Sequence, residues 1–218
     1  MTRLKRLARD TGGTAMLEFA LSLPLVLPLG LFGIEMSNYA LTQLKLSQVA
    51  LVLADNASRV GVDSGLSTQE LREADVNDVI QGARLQGGAM DITTGGRITL
   101  SSLEVNSDGG QWIHWQRCAG LASGTGNDSS YGVTGDGATG TSFQGMGETG
   151  AKVTAPPSSA VMFVEINYTY TPLVSHYFVG TTQLRSTASM IVRDNRLLSS
   201  AVTNDAHADS LTCDKHTT

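Results

Sequence analysis

The longest apolar run of the chain lies near its N-terminus, where 20 residues extend from Ala15 to Ile34 with one charged side chain, Glu18. A helix of this length spans about 30 Å, the thickness of the hydrocarbon core of a bilayer. Basic residues that precede such a span stay on the cytoplasmic side. Four precede this one: Arg3, Lys5, Arg6 and Arg9. The pattern predicts a single-pass membrane segment, with the remainder of the chain outside the cytoplasm.

The apolar pattern continues beyond the span at helical spacing, although it becomes broader and less regular. No Pro or Gly interrupts the chain from Glu35 until Gly61. We therefore predict one continuous helix from about Ala15 to Val60. The inward stripe of its second half is expected to comprise Leu41, Leu44, Val49, Leu51, Val52 and Val60.

The next signals predict a second helix followed by strands. Ser67-Thr68-Gln69-Glu70 matches a capping box, so a helix should follow it to about Leu85 and end at Gly87-Gly88. Alternating and β-branched patterns then predict four strands, at residues 97–105, 111–118, 159–170 and 183–193. Trp112 and Trp115 are expected on opposite faces of their strand. The predicted fold is α+β, with a long N-terminal helix, a shorter helix and an antiparallel sheet of about four strands.

Two segments lack such patterns. Residues 119–157 are rich in Gly and poor in large apolar side chains, which predicts a long flexible loop: a variable contact surface or an insertion without a role. Residues 194–218 form a polar tail that is expected to be loosely held apart from Cys213. The expected organisation is a leader at 1–13, a membrane helix at 14–34, a helical extension at 35–60 and an extracytoplasmic domain at 61–193.

Charge and cysteine content narrow the classes of function. The net charge is −5, but residues 1–13 carry +3, so the body is acidic and does not indicate nucleic-acid binding. Cys118 and Cys213 show no Cys-x-x-Cys spacing, so a zinc site is not indicated. In an oxidising compartment they would form one disulfide, and the alternative is a pair of buried thiols.

Catalytic and metal-binding motifs are not evident in the sequence. The histidines lack an HExxH or triad-like context, and neither a P-loop nor a G-x-S-x-G motif occurs. Asn127, Asp128 and Asp136 do not have the spacing of an EF-hand loop. We therefore expect no enzyme activity, no metal and no cofactor. The histidines concerned are His114, His176, His207 and His216.

Three interpretations of the N-terminal segment compete. A cleaved signal peptide is disfavoured because the apolar run exceeds a usual h-region, contains a carboxylate and lacks a clean A-x-A site. An ordinary signal anchor explains everything except Glu18, since a charge in an apolar helix is costly and is usually kept for a partner.

The third interpretation supplies that partner. The sequence from Gly13 to Phe19, G-T-A-M-L-E-F, resembles the processing site of type IV pilin-like precursors, and its Glu-Phe pair is similar to that of Tad (tight adherence) pilus pseudopilins. The resemblance implies that a prepilin peptidase cuts after Gly13. Thr14 then becomes the new N-terminus, and its amine could be neutralised by Glu18 of a neighbouring subunit.

Further stretches are similar to the periplasmic part of TadE/TadG-like proteins: Trp115-Gln116-Arg117-Cys118, Tyr168 to Pro172, and Thr187-Ala188-Ser189-Met190. The resemblance implies a minor pilin-like subunit in the bacterial inner membrane, with its domain in the periplasm. Its implied partners are the major pilin, other pseudopilins and a prepilin peptidase. Two alternatives stay open: an unprocessed, anchored scaffold or binding protein of the TadG-like type, and an anchored hydrolase.

Overall fold

The computed structural model describes residues 13–63, 68–174, 177, 179–193, 195–198, 202–204 and 207–218. Two helices and six strands lie within these ranges, and a single turn of 3₁₀ helix, Gly88–Met90, follows the second helix. The helices are α1 (Thr14–Arg59) and α2 (Glu73–Gly87). The strands are β1 (Val62–Asp63), β2 (Gln69–Glu70), β3 (Gly96–Val105), β4 (Gln111–Ala119), β5 (Val161–Tyr170) and β6 (Thr182–Ile191).

The four long strands form one antiparallel sheet in the order β4-β3-β5-β6, and β1 pairs separately with β2. The predicted α+β class is therefore confirmed, together with the long N-terminal helix and the second helix. Helix α1 has 46 residues and continues through Pro24 and Pro28. Contacts divide the chain into two compact units, Met1–Ala40 with Thr171–Thr181, and Leu41–Tyr170 with Thr182–Thr218. We refer to them as the helix unit and the sheet unit.

In the sheet unit, α1 buries a stripe that differs from the predicted one. The buried residues recur at the three- and four-residue spacing of one helix face. They are Leu46, Val49, Ala50, Leu53, Ala54 and Ala57. Of the predicted stripe only Val49 is buried, whereas Leu41, Leu44, Leu51 and Val52 are exposed. The sequence pattern was broad because it combined a buried face with an exposed apolar face on the other side of the helix.

The glycine-rich segment 119–157 lies across one face of the sheet. Met146 and Ala155 from this segment pack with Leu103, Ile113 and Phe163 of the sheet in one buried cluster. The expectation of a loose loop did not anticipate these contacts.

Hydrogen bonds also hold the segment to the sheet. Asn106, after β3, donates its side-chain amide to the carbonyls of Gly137 and Gly140, both at 2.7 Å. Gly137 has φ +75°, and a Cβ there would lie 2.2 Å from the Gln111 carbonyl oxygen, so the close approach requires glycine.

Helix α2 begins later than the Ser67 capping box predicted. Gln69 and Glu70 belong to β2, and the helix starts at Glu73 after the N-cap residue Arg72. The Arg72 backbone N–H donates to the Asp75 carboxylate at 3.1 Å, which satisfies one of the free donors of a helix start. Ser67 itself lies outside the described residues. The predicted end is confirmed, because Gly88 caps the helix with φ +57°.

A β-bulge changes the predicted placement of the two tryptophans. Trp115 pairs with Ser102 and Trp112 pairs with Glu104, with a register shift between Ser102 and Leu103. Ser102 and Glu104 are two residues apart and share a face, so their partners share it as well. The tryptophans therefore lie on the same face, contrary to the expectation from a regular strand.

The described parts of the tail are held at several points rather than only at Cys213. The Cys118 N–H donates to the Leu211 carbonyl at 2.7 Å, and the Gly120 N–H donates to that of Thr217 at 2.7 Å. These bonds cover the outer edge of β4, whose backbone groups would otherwise face solvent.

Candidate functional site

The described residues leave the apolar half of α1 without cover. An 18-residue window of this helix has a mean hydropathy of 1.9, and none of its residues is buried in the structure. Exposed apolar surface of this extent needs another environment, such as a bilayer or neighbouring helices. By length and composition, α1 could cross a membrane.

Gly13 and Thr14 mark the start of this helix. Thr14 is the first helical residue, and the Leu17 N–H donates to the Gly13 carbonyl at 3.1 Å. A Cβ placed on Gly13 would meet no described atom within 4 Å, and its φ lies outside the positive range that favours glycine. Among the described residues, nothing in the chain's own packing requires glycine at this position.

Glu18 and Phe19 lie one turn further along. Both side chains are exposed, and Phe19 is 62% accessible. Within the part of the chain that the structure describes, no hydrogen bond or ion pair reaches the Glu18 carboxylate. The structure therefore places Gly13 directly before α1 and Thr14, Glu18 and Phe19 in its first two turns, and the described residues supply the Glu18 carboxylate with no partner.

A second carboxylate, Glu35, was not singled out from the sequence. It follows the apolar run directly, and it is fully buried in the helix unit. Its two carboxylate oxygens accept the backbone N–H groups of Leu173 at 3.2 Å and Val174 at 2.7 Å. The available signal was a carboxylate at the end of an apolar span, but its partner lies 139 residues away and could not be identified locally.

Cys118 and Cys213 form a disulfide with their Cα atoms 4.8 Å apart. Arg97, which is almost fully buried, supports the same region by donating to the Gly120 carbonyl at 3.2 Å and to His216 Nδ1 at 2.7 Å. Burial lowers the pKa of the Arg97 guanidinium, and the Asp128 carboxylate, 3.4 Å from its Nε, acts in the opposite direction. These contacts describe a structural role.

His114 meets a carboxylate that also accepts a hydrogen bond from a hydroxyl, a combination of groups that would support a hydrolase. Its Nδ1 lies 3.0 Å from Glu104 Oε2, and the Ser102 hydroxyl donates to Glu104 Oε1 at 2.7 Å. In a catalytic triad the imidazole lies between the hydroxyl and the acid. Here the carboxylate occupies the middle, and Ser102 is buried, so this arrangement does not activate the serine.

The remaining candidates have local contacts. Asp128 accepts the Gly124 N–H at 2.9 Å and Asp136 accepts the Val133 N–H at 2.8 Å, so both carboxylates stabilise turns. The described residues contain no group of three or more His, Cys, Asp or Glu side chains that could hold a metal ion. His207 has φ +51°, and His176 lies outside the described residues.

Comparison with known proteins adds one finding. No curated protein and no solved structure matches the chain. The family model described as TadE-like protein matches residues 13–61. This range covers α1 with its flanking residues, including the start at Gly13 and the carboxylates of Glu18 and Glu35. Residues 13–61 are therefore similar to the TadE-like family, a similarity that is consistent with a TadE/TadG-like protein.

Proposed function

We propose that this chain is a minor pilin-like subunit, a pseudopilin, that takes part in assembly of a Tad-type adhesive pilus without catalysing a reaction. It would be anchored in the bacterial inner membrane by α1, with its N-terminus in the cytoplasm and its sheet unit in the periplasm. Its partners would be the major pilin, other pseudopilins and a prepilin peptidase. The observation that carries the proposal is Glu18, a carboxylate without a described partner in an uncovered apolar helix.

A carboxylate in this position carries a free-energy cost that no contact among the described residues offsets. Near the bilayer centre the cost of a charged side chain is about 2.5–3.5 kcal/mol, and it is lower towards the edge. Cleavage between Gly13 and Thr14 would create an amine at residue 14, one helical turn from residue 18. Glu18 of one subunit could then pair with Thr14 of the next, and each charge would offset the burial of the other.

The surroundings of Gly13 support cleavage at this bond. No described atom would contact a side chain there, so glycine at this position leaves the backbone accessible to an external protein that binds it closely. A peptidase that accepts the chain at the membrane face fits this requirement. The basic leader before the site fits retention of residues 1–13 on the cytoplasmic side.

The exposed face of α1 beyond the apolar run supports lateral packing with other subunits. Leu41, Leu44, Leu51 and Val52 fall on one side of the helix at about 3.6 residues per turn, opposite the stripe that the sheet unit buries. A helix that is apolar on two faces can bind its own domain with one and a neighbouring helix with the other. Such a second face fits a subunit that packs against neighbours in an assembly.

The experiment that tests the proposal replaces Glu18. Glu18→Ala should still insert in the membrane, because it removes a charge from an apolar helix, and it should still be cleaved, yet pilus production should be lost. Glu18→Asp is the matched control, since it keeps a carboxylate and should retain part of the assembly. Normal pili from the Ala variant would contradict the charge-pairing argument and favour an unprocessed, TadG-like anchor.

A further inference from the structure

We propose that residues 171–174 and Tyr177 of the β5–β6 loop rest in the outer lipid interface beside the end of the membrane-spanning part of α1. The loop and this part of the helix belong to the same compact unit. The inference rests on the proposed function in one respect, that α1 spans a bilayer. It adds a second membrane contact, made by a segment far from α1 in the sequence.

The loop has the composition of a lipid contact rather than of an ordinary connection between strands. Its 11 residues, TPLVSHYFVGT, contain no Asp, Glu, Lys or Arg. Connections between adjacent antiparallel strands are usually about 2–5 residues long and rich in Gly, Asn and Asp. Among the described residues of the loop, Leu173 is 70% exposed and Tyr177 is 98% exposed. An apolar and an aromatic side chain of the loop therefore present most of their surface outside the described protein.

Glu35 fixes the depth at which these side chains would lie. This residue follows Ile34, the last residue of the apolar run, so in a spanning helix it marks the boundary between hydrocarbon and headgroups. Its carboxylate accepts the N–H groups of Leu173 and Val174, which holds the start of the loop at this level. The same bonds satisfy two backbone donors that would be costly to bring into an apolar environment.

The occupant best suited to this surface is lipid. Tyrosine is enriched at the membrane–water interface, where the ring contacts acyl chains and the hydroxyl contacts water and headgroups. Since the loop lacks formal charge, its attachment should not depend on anionic lipids. A zwitterionic phosphatidylcholine vesicle is therefore sufficient as the probe, and it contains no other pilus subunit that could cover the loop.

The test measures depth with an environment-sensitive fluorophore on a single introduced cysteine. The full chain is reconstituted without reductant, so that Cys118 and Cys213 stay bonded and only the new thiol reacts. Tyr177→Cys reports on the loop and Leu25→Cys reports on the apolar helix. Val133→Cys is the matched control, because it is also an exposed apolar position but lies in the sheet unit. Nitroxide lipids with the spin label near the headgroups or deep in the chains act as quenchers.

We expect the label at residue 177 to be quenched by the shallow nitroxide and blue-shifted relative to residue 133, while the deep nitroxide quenches residue 25. Quenching at 25 but a water-exposed label at 177 would overturn the loop inference and leave the anchor intact. Loss of lipid quenching at 25 would instead contradict the proposed function itself. Deep quenching at 177 would also overturn the interfacial position.

A second variant tests the role of Glu35. Glu35→Ala in the Tyr177→Cys chain should reduce shallow quenching at residue 177, because the loop loses the carboxylate that holds Leu173 and Val174. The same substitution in the Leu25→Cys chain should leave deep quenching unchanged. Undiminished quenching at residue 177 would overturn the assignment of Glu35 as the anchor of the loop.

Discussion

Arg97 donates a hydrogen bond of 2.5 Å to the carbonyl oxygen of Cys213, the residue whose sulfur is bonded to Cys118. The tail is therefore fixed to the sheet by a covalent bond and by a buried guanidinium at the same point. Because Arg97 is in β3 and Cys118 is in β4, the end of the chain secures the outer pair of strands. This arrangement gives the polar tail a structural role in the sheet unit.

Removing the disulfide should destabilise the sheet unit. The double variant Cys118→Ser with Cys213→Ser should unfold with a free energy lower by about 2–5 kcal/mol, because the unfolded chain loses a long cross-link. Denaturant unfolding in detergent measures the difference, with Thr212→Ser as a control for a change in the tail alone. Thiol labelling of unreduced, denatured wild-type protein should find no free cysteine. Two labelled thiols in protein from the periplasmic side would refute both the bond and the orientation.

The two apolar faces of α1 should respond differently to the same substitution. Leu53 is 1% exposed, so Leu53→Ala should lower the free energy of unfolding by about 2–5 kcal/mol. Leu51 is 50% exposed, and Leu51→Ala should change it by no more than about 0.5 kcal/mol. Pilus production should nevertheless fall in the stable Leu51 variant. A Leu51→Ala chain that unfolds earlier, or that assembles normally, would contradict the assignment of its face to a neighbouring subunit.

The start of α2 should make stability depend on pH in the acid range. The side-chain hydrogen bond from Arg72 holds the pKa of the Asp75 carboxyl below its ordinary value of 3.8, although burial acts in the opposite direction. Because the pKa of Asp75 is lower in the folded protein than in the unfolded chain, ionised Asp75 stabilises the fold. This contribution to the free energy of unfolding is complete above the unfolded pKa and is lost as the pH falls through the folded pKa.

The substitution Asp75→Ala should therefore lower the free energy of unfolding by about 1 kcal/mol at neutral pH, as expected for a helix-capping contact. The difference from wild type should shrink as pH falls below the ordinary carboxyl pKa, near 3.8. Urea unfolding at several pH values measures it. Asp78→Ala, at an exposed position of the same helix, is the control and should change little. If the difference in free energy of unfolding between the Asp75 variant and wild type stays constant with pH, the contribution of Asp75 does not depend on its ionisation.

The regular elements were predictable because their signals are local. The apolar run and the absence of Pro and Gly after it predicted a helix from Ala15 to Val60, and α1 extends from Thr14 to Arg59. The predicted strand at residues 97–105 corresponds to β3, Gly96–Val105. In both cases the residues that decide the conformation lie within the element itself.

The departures from prediction arise from contacts between distant parts of the chain. Gln69 lies in β2 rather than in a helix, and its N–H donates to the Asn195 carbonyl at 2.8 Å. The face on which Trp112 lies is set by a β-bulge in β4, and the alternation of side chains in the sequence does not show where a bulge occurs. The partner of Glu35 is likewise 139 residues away. Local sequence patterns predict helices and strands, whereas these three features depend on contacts between segments that are far apart in the sequence.

The most direct test of the pseudopilin proposal is the N-terminal sequence of the protein isolated from membranes of cells that contain the prepilin peptidase. The proposal predicts a mature chain that begins at Thr14, and it predicts that Gly13→Val blocks cleavage because a β-branched side chain obstructs the scissile bond. Gly30→Val is the control, since a Cβ there also meets nothing within 4 Å, and it should be processed normally. Wild-type protein that retains residues 1–13, or a Gly13→Val chain that still begins at Thr14, would contradict the proposal.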